Sequence, residues 1–156
     1  TFVDAQASAF LWWGLIYSLA PGNEQDANVR QKHRDEGLVL VCAPADQVGE
    51  YQAFVERTKK FYVFSQYSKF IHPGYKRVDL DAVSGVYASA YVGEDDNRLI
   101  AVVINDSETS KDVSIQVDAG YEFVSAHQTD KSRNCEQIGT SVVLPPQSVR
   151  TIVFEK

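Results

Sequence analysis

Methionine is absent from the 156 residues, cysteine occurs only twice, and positive charge is the scarcer sign, with 15 Lys and Arg against 21 Asp and Glu. Each shortage excludes something. A net charge of −6, with no basic cluster beyond Lys59-Lys60 and Lys32-His33-Arg34, argues against a nucleic-acid partner, because phosphate binding needs a basic face. Both short groups read as solvated surface. No apolar run approaches the roughly 20 residues of a membrane-spanning helix, so no membrane partner is expected. The run from Phe10 to Leu19 is too short, and it lacks the basic flank of a signal peptide. Cys42 and Cys135 lie too far apart for a zinc knuckle or a CxxC redox motif; a mutual disulfide, free thiols and outside partners all stay open. His33, His72 and His127 have no ligand spacing, so neither a metal site nor a cofactor is expected. No serine stands in the G-x-S-x-G setting of a serine hydrolase. The opening Thr1-Phe2-Val3-Asp4, without an initiator Met, reads as the interior of a longer chain.

What is present is an apolar fraction of 44% and a charged fraction of 23%, the composition of a soluble globular protein with enough length for a real core. The stretch from Lys60 to Tyr75 organises the rest. Its periodicity predicts a helix over Lys60–Ile71 that stops at Pro73-Gly74. Phe61, Phe64, Ser65, Ser68 and Ile71 recur in steps of three and four and make one face, with the two serines small enough to let a sheet approach. Tyr62, Gln66 and Lys69 are expected on the other side. Upstream, Ala7–Leu19 (ASAFLWWGLIYSL) reads as a strand buried on both faces, as in a parallel sheet. Adjacent Trp12 and Trp13 then point to opposite faces, so that one serves the core while the other meets a ligand. Pro21–Glu36 reads as a loop, Gly37–Cys42 as a short strand, and Glu50–Arg57 as a helical lead-in with Asp46 or Thr58 as caps.

After Tyr75 the pattern changes to short alternating segments. Strands are expected at Lys76–Leu80, Gly85–Val92, Arg98–Asn105, Val113–Val117, Glu122–Gln128, Ser141–Leu144 and Ser148–Glu155, separated by turn residues. Such spacing reads as an antiparallel β-sandwich. Asn105-Asp106-Ser107 is a glycosylation sequon, which points towards secretion and makes Asn105 a candidate glycan acceptor.

The Trp-Trp strand, the helix with its break (FYVFSQYSKFIHPGYKRVD), the strand pair (GVYASAYVGEDDNRLIAVVIND) and the tail (LPPQSVRTIVF) together resemble the C-terminal part of glycoside hydrolase family 30. They occur in that family's order and cover most of the chain. The resemblance implies an α+β arrangement: the final βα unit of a (β/α)8 barrel over residues 1–73 (strand eight, a loop and the last helix), followed by an antiparallel β-sandwich side domain over residues 74–156. It implies a secreted, extracellular retaining β-glycanase, most similar to the fungal-type xylanase branch, with a xylan-like polysaccharide as substrate and the remainder of the barrel as partner. A β-1,6-glucanase, a β-1,6-galactanase and a glucosylceramidase are alternatives within the family. A non-catalytic carbohydrate-binding β-sandwich is the alternative of another class.

Retaining cleavage needs two carboxyls about 5–5.5 Å apart. The family supplies them from barrel strands four and seven, which have no counterpart in these residues, so no catalytic residue is expected here. Glu24, Asp26, Asp35, Glu36, Asp46, Glu50 and Glu56 are the acids of the barrel-like part, and none is expected to form such a pair. The resemblance makes Trp13 the residue that lines the subsite of the reacting sugar, with Tyr17 at the rim and Trp12 as a further substrate-binding candidate. An indole face stacks on the C–H face of a sugar, which gives apolar area and orientation together. Where the glucuronoxylanase branch carries an arginine, Ile16-Tyr17 supplies no cation.

Overall fold

The computed structural model describes residues 9–19, 26–42, 54–81, 84–117 and 120–156. The chain divides into two compact units, with the boundary between Tyr62 and Val63.

The first unit is built on a small mixed sheet. β1 (Gly14–Leu19) is followed by α1 (Ala27–Glu36), β2 (Gly37–Cys42), β3 (Phe54–Arg57) and the first turn of α2 (Lys59–Ser68). β1 and β2 are parallel, in register from Gly14 opposite Gly37 to Leu19 opposite Cys42, and α1 lies on the crossover that a parallel pair requires. β3 returns antiparallel to β2. β2 is therefore the central strand, and its Leu38 and Leu40 are buried apolar residues among the described ones of this unit. Of the loop expected over Pro21–Glu36, residues 21–25 lie outside the described ones, and the part Ala27–Glu36 is the helix α1. Its start is fixed by Asp26, whose carboxylate accepts from the backbone N–H groups of Asn28 and Val29 at 2.9 and 3.2 Å, the usual satisfaction of orphan helix donors. Arg57 belongs to a strand rather than to a helical lead-in, because residues 54–57 pair with Val39–Cys42. Thr58 then caps α2. Its hydroxyl donates to Leu38 O at 2.9 Å and accepts from Phe61 N. Lys60 Nζ reaches Asp35 O at 2.9 Å. The alternative cap, Asp46, lies outside the described residues.

The second unit is mainly β. Its large sheet contains β4 (Lys76–Val78), β5 (Tyr87–Val92), β6 (Arg98–Asn105), β8 (Glu122–Thr129), β9 (Glu136–Ile138) and β11 (Ser148–Glu155), in the order β4-β5-β6-β11-β8-β9. All its neighbours are antiparallel. β7 (Lys111–Asp112) and β10 (Val143–Leu144) form a two-stranded companion. Alternation along the strands makes two packing layers. On one face Ile100, Val102, Val149 and Val153 are buried with Phe70, and Val63, Tyr67 and Ile71 pack against them. On the other, Val103 is buried with Val113 and Leu144, flanked by Val86, Ala88 and Ile115. This is a layered antiparallel arrangement, as the alternation predicted.

Four expectations are corrected here. Gln66 was placed on the outward side of the helix, yet it is fully buried. Its Nε2 donates to Thr129 Oγ1 at 2.8 Å, and its Oε1 accepts from Thr151 Oγ1 at 2.6 Å, so hydrogen bonding compensates the burial. Ser68, expected to face the sheet, is exposed. Val113–Val117 is not a strand: the ladder is confined to Lys111–Asp112, although Val113 and Ile115 still turn into the core. β9 carries no apolar alternation and escaped notice. The helix, expected to run to Ile71, ends at Ser68, ahead of the Pro73-Gly74 turn. Gly74 has φ 92°, a backbone region open mainly to glycine, and an added Cβ would collide with the Glu94 side chain.

Candidate functional site

The three aromatic candidates sit around the start of β1, and their surroundings separate them. The ladder begins at Gly14, so Trp12 and Trp13 precede the paired strand instead of lying within it. Trp13 is 96% exposed. Trp12 is 37% exposed, and its Nε1 donates to Glu36 O at 2.9 Å. Phe10 stands beside it, with ring centroids 6.4 Å apart. Tyr17 is half-buried. Its ring covers the Gly14–Gly37 rung: a Cβ added at Gly14 would overlap it, and one at Gly37 would fall 3.0 Å from its Cδ2. The ring of His33, on α1, lies 5.7 Å from that of Tyr17.

The chemistry open to these residues is recognition by apolar contact. Trp13 presents an indole; Trp12 and Tyr17 have their rings or polar atoms committed inside the unit. Sequence reasoning missed three contributors to this corner: the Glu36 carbonyl, the Gly14–Gly37 pair and His33. A glycine directly after Trp-Trp, and another opening the next strand, were the signal available.

Asp26 caps α1, and Asp35 Oδ1 accepts from Gln31 Nε2 at 3.0 Å. Glu36 lends its backbone carbonyl to Trp12, and Glu56 pairs with Leu40 across the ladder. Glu24, Asp46 and Glu50 lie outside the described residues. Among the described residues no group of three or more His, Cys, Asp or Glu is arranged to hold a metal ion.

Two polar clusters belong to the second unit. Asn105 is fully buried. Its Nδ2 donates to Thr109 O (2.8 Å), Leu144 O (3.2 Å) and Pro145 O (2.8 Å), and its Oδ1 accepts from Ser107 N and Oγ. The nitrogen a glycan would need is inside the fold and hydrogen-bonded, so within this fold Asn105 ties its own turn to the Leu144–Pro145 backbone. The second cluster joins Arg150, Gln128, Asp130 and Arg133. Arg150 donates through Nε and Nη2 to Gln128 Oε1 at 3.0 and 2.6 Å, Gln128 Nε2 donates to Asp130 Oδ2 at 2.5 Å, and Arg133 Nη1 donates to the same oxygen at 2.8 Å. Burial alone would raise the Asp130 carboxyl. Hydrogen bonds from Gln128, from the Arg133 side chain and from the backbone of Arg133 and Ser132 outweigh it and hold the carboxyl well below the ordinary carboxylate range. Burial lowers Arg150 and also His127, which Lys69 depresses further. Cys135 is a free, half-buried thiol, raised by burial; the Cys42 side chain lies outside the described ones.

Residues 74–152 match the model of the glycosyl hydrolase family 30 beta sandwich domain. Over 99% of its length the chain is 35% identical to a glucuronoxylanase, XynC, of Bacillus subtilis (strain 168), of which it covers 32%. It thus spans about a third of that curated relative. Among solved structures it resembles a GH30 endoxylanase from Clostridium papyrosolvens C71 (25% identity, TM-score 0.55, covering 99% of this chain and 44% of the other). It also resembles a glycoside hydrolase family 30 subfamily 8 xylanase, Xyn30A, from Clostridium acetobutylicum (27% identity, TM-score 0.52, covering 92% and 42%).

Proposed function

Because the chain belongs to glycoside hydrolase family 30, we propose that it is the C-terminal portion of a secreted xylanase that cleaves β-linked xylan with retention of configuration. The observation that carries this reading is the 35% identity to a glucuronoxylanase along essentially the whole chain. Both catalytic glutamates then lie in preceding barrel strands, and this chain contributes a sugar platform and the side sandwich. The domain boundary stays at the Pro73-Gly74 break. The sandwich match starts at residue 74, which supports that choice; the compact-unit boundary falls earlier because Val63, Tyr67 and Phe70 pack on the large sheet.

In this reading Ala7–Leu19 belongs to the barrel's strand eight; pairing begins only at Gly14, and it is the family resemblance that makes Trp13 the sugar-facing residue. Its 96% exposure suits a stacking surface, and the parallel β1–β2 pair joined through α1 is the kind of local connection a βα barrel uses. The apolar residues Leu11, Leu15 and Ile16, all more than half exposed, supply contact area for the remainder of the barrel.

The test uses the complete polypeptide on xylan. Trp13→Ala lowers kcat/KM roughly tenfold or more, the loss of about 1.4 kcal/mol of binding. It changes stability by no more than about 0.5 kcal/mol, as expected for an exposed position. Equal losses of activity and stability would return Trp13 to a packing role. Xylan hydrolysis by residues 1–156 alone would overturn the placement of the catalytic acids.

A further inference from the structure

A stacking platform is useful only if its direction is fixed, and Trp13 is exposed on a chain held immediately to either side. We propose that Trp12 and Tyr17 are positioning residues that form a clasp around Trp13, and that neither is a sugar contact; the inference rests on the reading of Trp13 as the platform.

The hold on the N-terminal side includes one directional bond. The indole N–H is the one polar group of Trp12, and it is spent on the carbonyl of Glu36, at the end of α1. On the C-terminal side is the first rung of the ladder, Gly14 opposite Gly37. Glu36 and Gly37 are consecutive, as are Trp12, Trp13 and Gly14, so two short backbone segments are cross-linked twice within one residue of Trp13. Consecutive Cα atoms are about 3.8 Å apart, and a residue between two such points has little freedom in where its Cα–Cβ bond points.

Tyr17 makes the rung a fixed structure. Both glycines are buried, and the tyrosine ring occupies the space that side chains at 14 and 37 would need. His33 stands 5.7 Å from the same ring, so α1 backs the tyrosine as well as receiving the Trp12 bond. A ring pressed onto two glycines and flanked by an imidazole offers little face to a sugar. What it offers is close packing, which tolerates loss of the hydroxyl but not of the ring.

Kinetics of the complete enzyme on xylan, read as a double-mutant cycle, test the clasp. W12F keeps a ring and removes the N–H; Y17A removes the ring cover. Each is expected to lower kcat/KM roughly five- to tenfold in the native background, since small misplacements near a reacting group are costly, and to change it less than twofold in the W13A background. Y17F restores what Y17A loses. Should Y17A fail to fold, W12F carries the cycle alone. W12F and Y17A acting in full on top of W13A would overturn the clasp while leaving the platform in place, as would wild-type kinetics for both. Wild-type kinetics for W13A itself would remove the platform, and the clasp with it.

Discussion

Replacing Gln66 puts a number on what holds the second half of α2 to the large sheet. Its carboxamide is fully buried and bridges two strands, donating to Thr129 on β8 and accepting from Thr151 on β11. The Thr151 hydroxyl also reaches the Gln66 backbone carbonyl at 2.6 Å, and Thr129 Oγ1 accepts in addition from Cys135 N at 3.0 Å. These second partners decide the magnitudes. Q66L removes two hydrogen bonds but strands neither threonine, because each retains its other partner. At about 1 kcal/mol per bond, and with apolar volume returned, the net cost is about 1–2 kcal/mol. Q66A removes the same bonds and leaves a cavity, so it costs about 2–4 kcal/mol. T151V is the most damaging relative to the atoms removed. It takes away the single hydroxyl hydrogen that two buried oxygens of Gln66 share, and the stranded acceptors together cost about 2–4 kcal/mol.

The expected order of destabilisation is T151V at or above Q66A, with Q66L least. In the Q66L background T151V strands only the backbone carbonyl, so the pair is coupled by about 1–2 kcal/mol. Urea unfolding of the complete enzyme, monitored by circular dichroism, measures each value, with unchanged m-values required for the comparison. Q66L as damaging as T151V, with additive effects in the double variant, would refute the reasoning. The helix would then be held by its apolar contacts alone.

Two further outcomes follow from the polar clusters. Asp130 has a carboxyl depressed in the folded state, so its stabilisation is present above the ordinary carboxylate range and is lost as pH falls through about 4 towards the folded value. D130N should therefore flatten the acid limb of stability below pH 4 while costing about 1–3 kcal/mol at neutral pH, and a parallel acid limb in thermal melts of the two proteins would contradict the assignment. Asn105 uses both ends of its amide inside the sandwich, so the folded enzyme secreted from a glycosylating host should carry no glycan there by peptide mass, and N105A should destabilise by about 2–4 kcal/mol. A quantitatively glycosylated, active enzyme would overturn that reading.

The sandwich was legible because its signal is local. Arg98–Asn105 and Ser148–Glu155 were read to the residue, and they are the central strands whose alternating side chains meet a core on each face. Strand order was not legible. The final strand lies between β6 and β8, a long-range choice that no short pattern encodes. Gln66 was misassigned because helical periodicity sorts residues by polarity, and a polar side chain that pairs with two threonines is invisible until the strands carrying them are placed. β9 and the end of Val113–Val117 failed in opposite ways. Glu136–Ile138 pairs without apolar alternation, while Val113 and Ile115 alternate into the core beyond the end of the ladder.

The first unit was harder to read, and the difficulty has a physical source. Ala7–Leu19 was read as a strand buried on both faces. Instead the ladder covers only Gly14–Leu19, and Leu11, Trp13, Leu15 and Ile16 are exposed at 90%, 96%, 59% and 61%. Periodicity reports which residues are built for burial, not what buries them. An edge strand this apolar is a surface that monomeric proteins cover, and the proposed reading takes that cover from the remainder of the barrel. On the proposed reading, the exposed aliphatic residues and the exposed indole diverge when that cover is added. Leu15 and Ile16 become core, whereas Trp13, clasped between the Trp12 bond and the Gly14–Gly37 rung, stays open to substrate. That divergence separates a sugar platform from an ordinary core tryptophan.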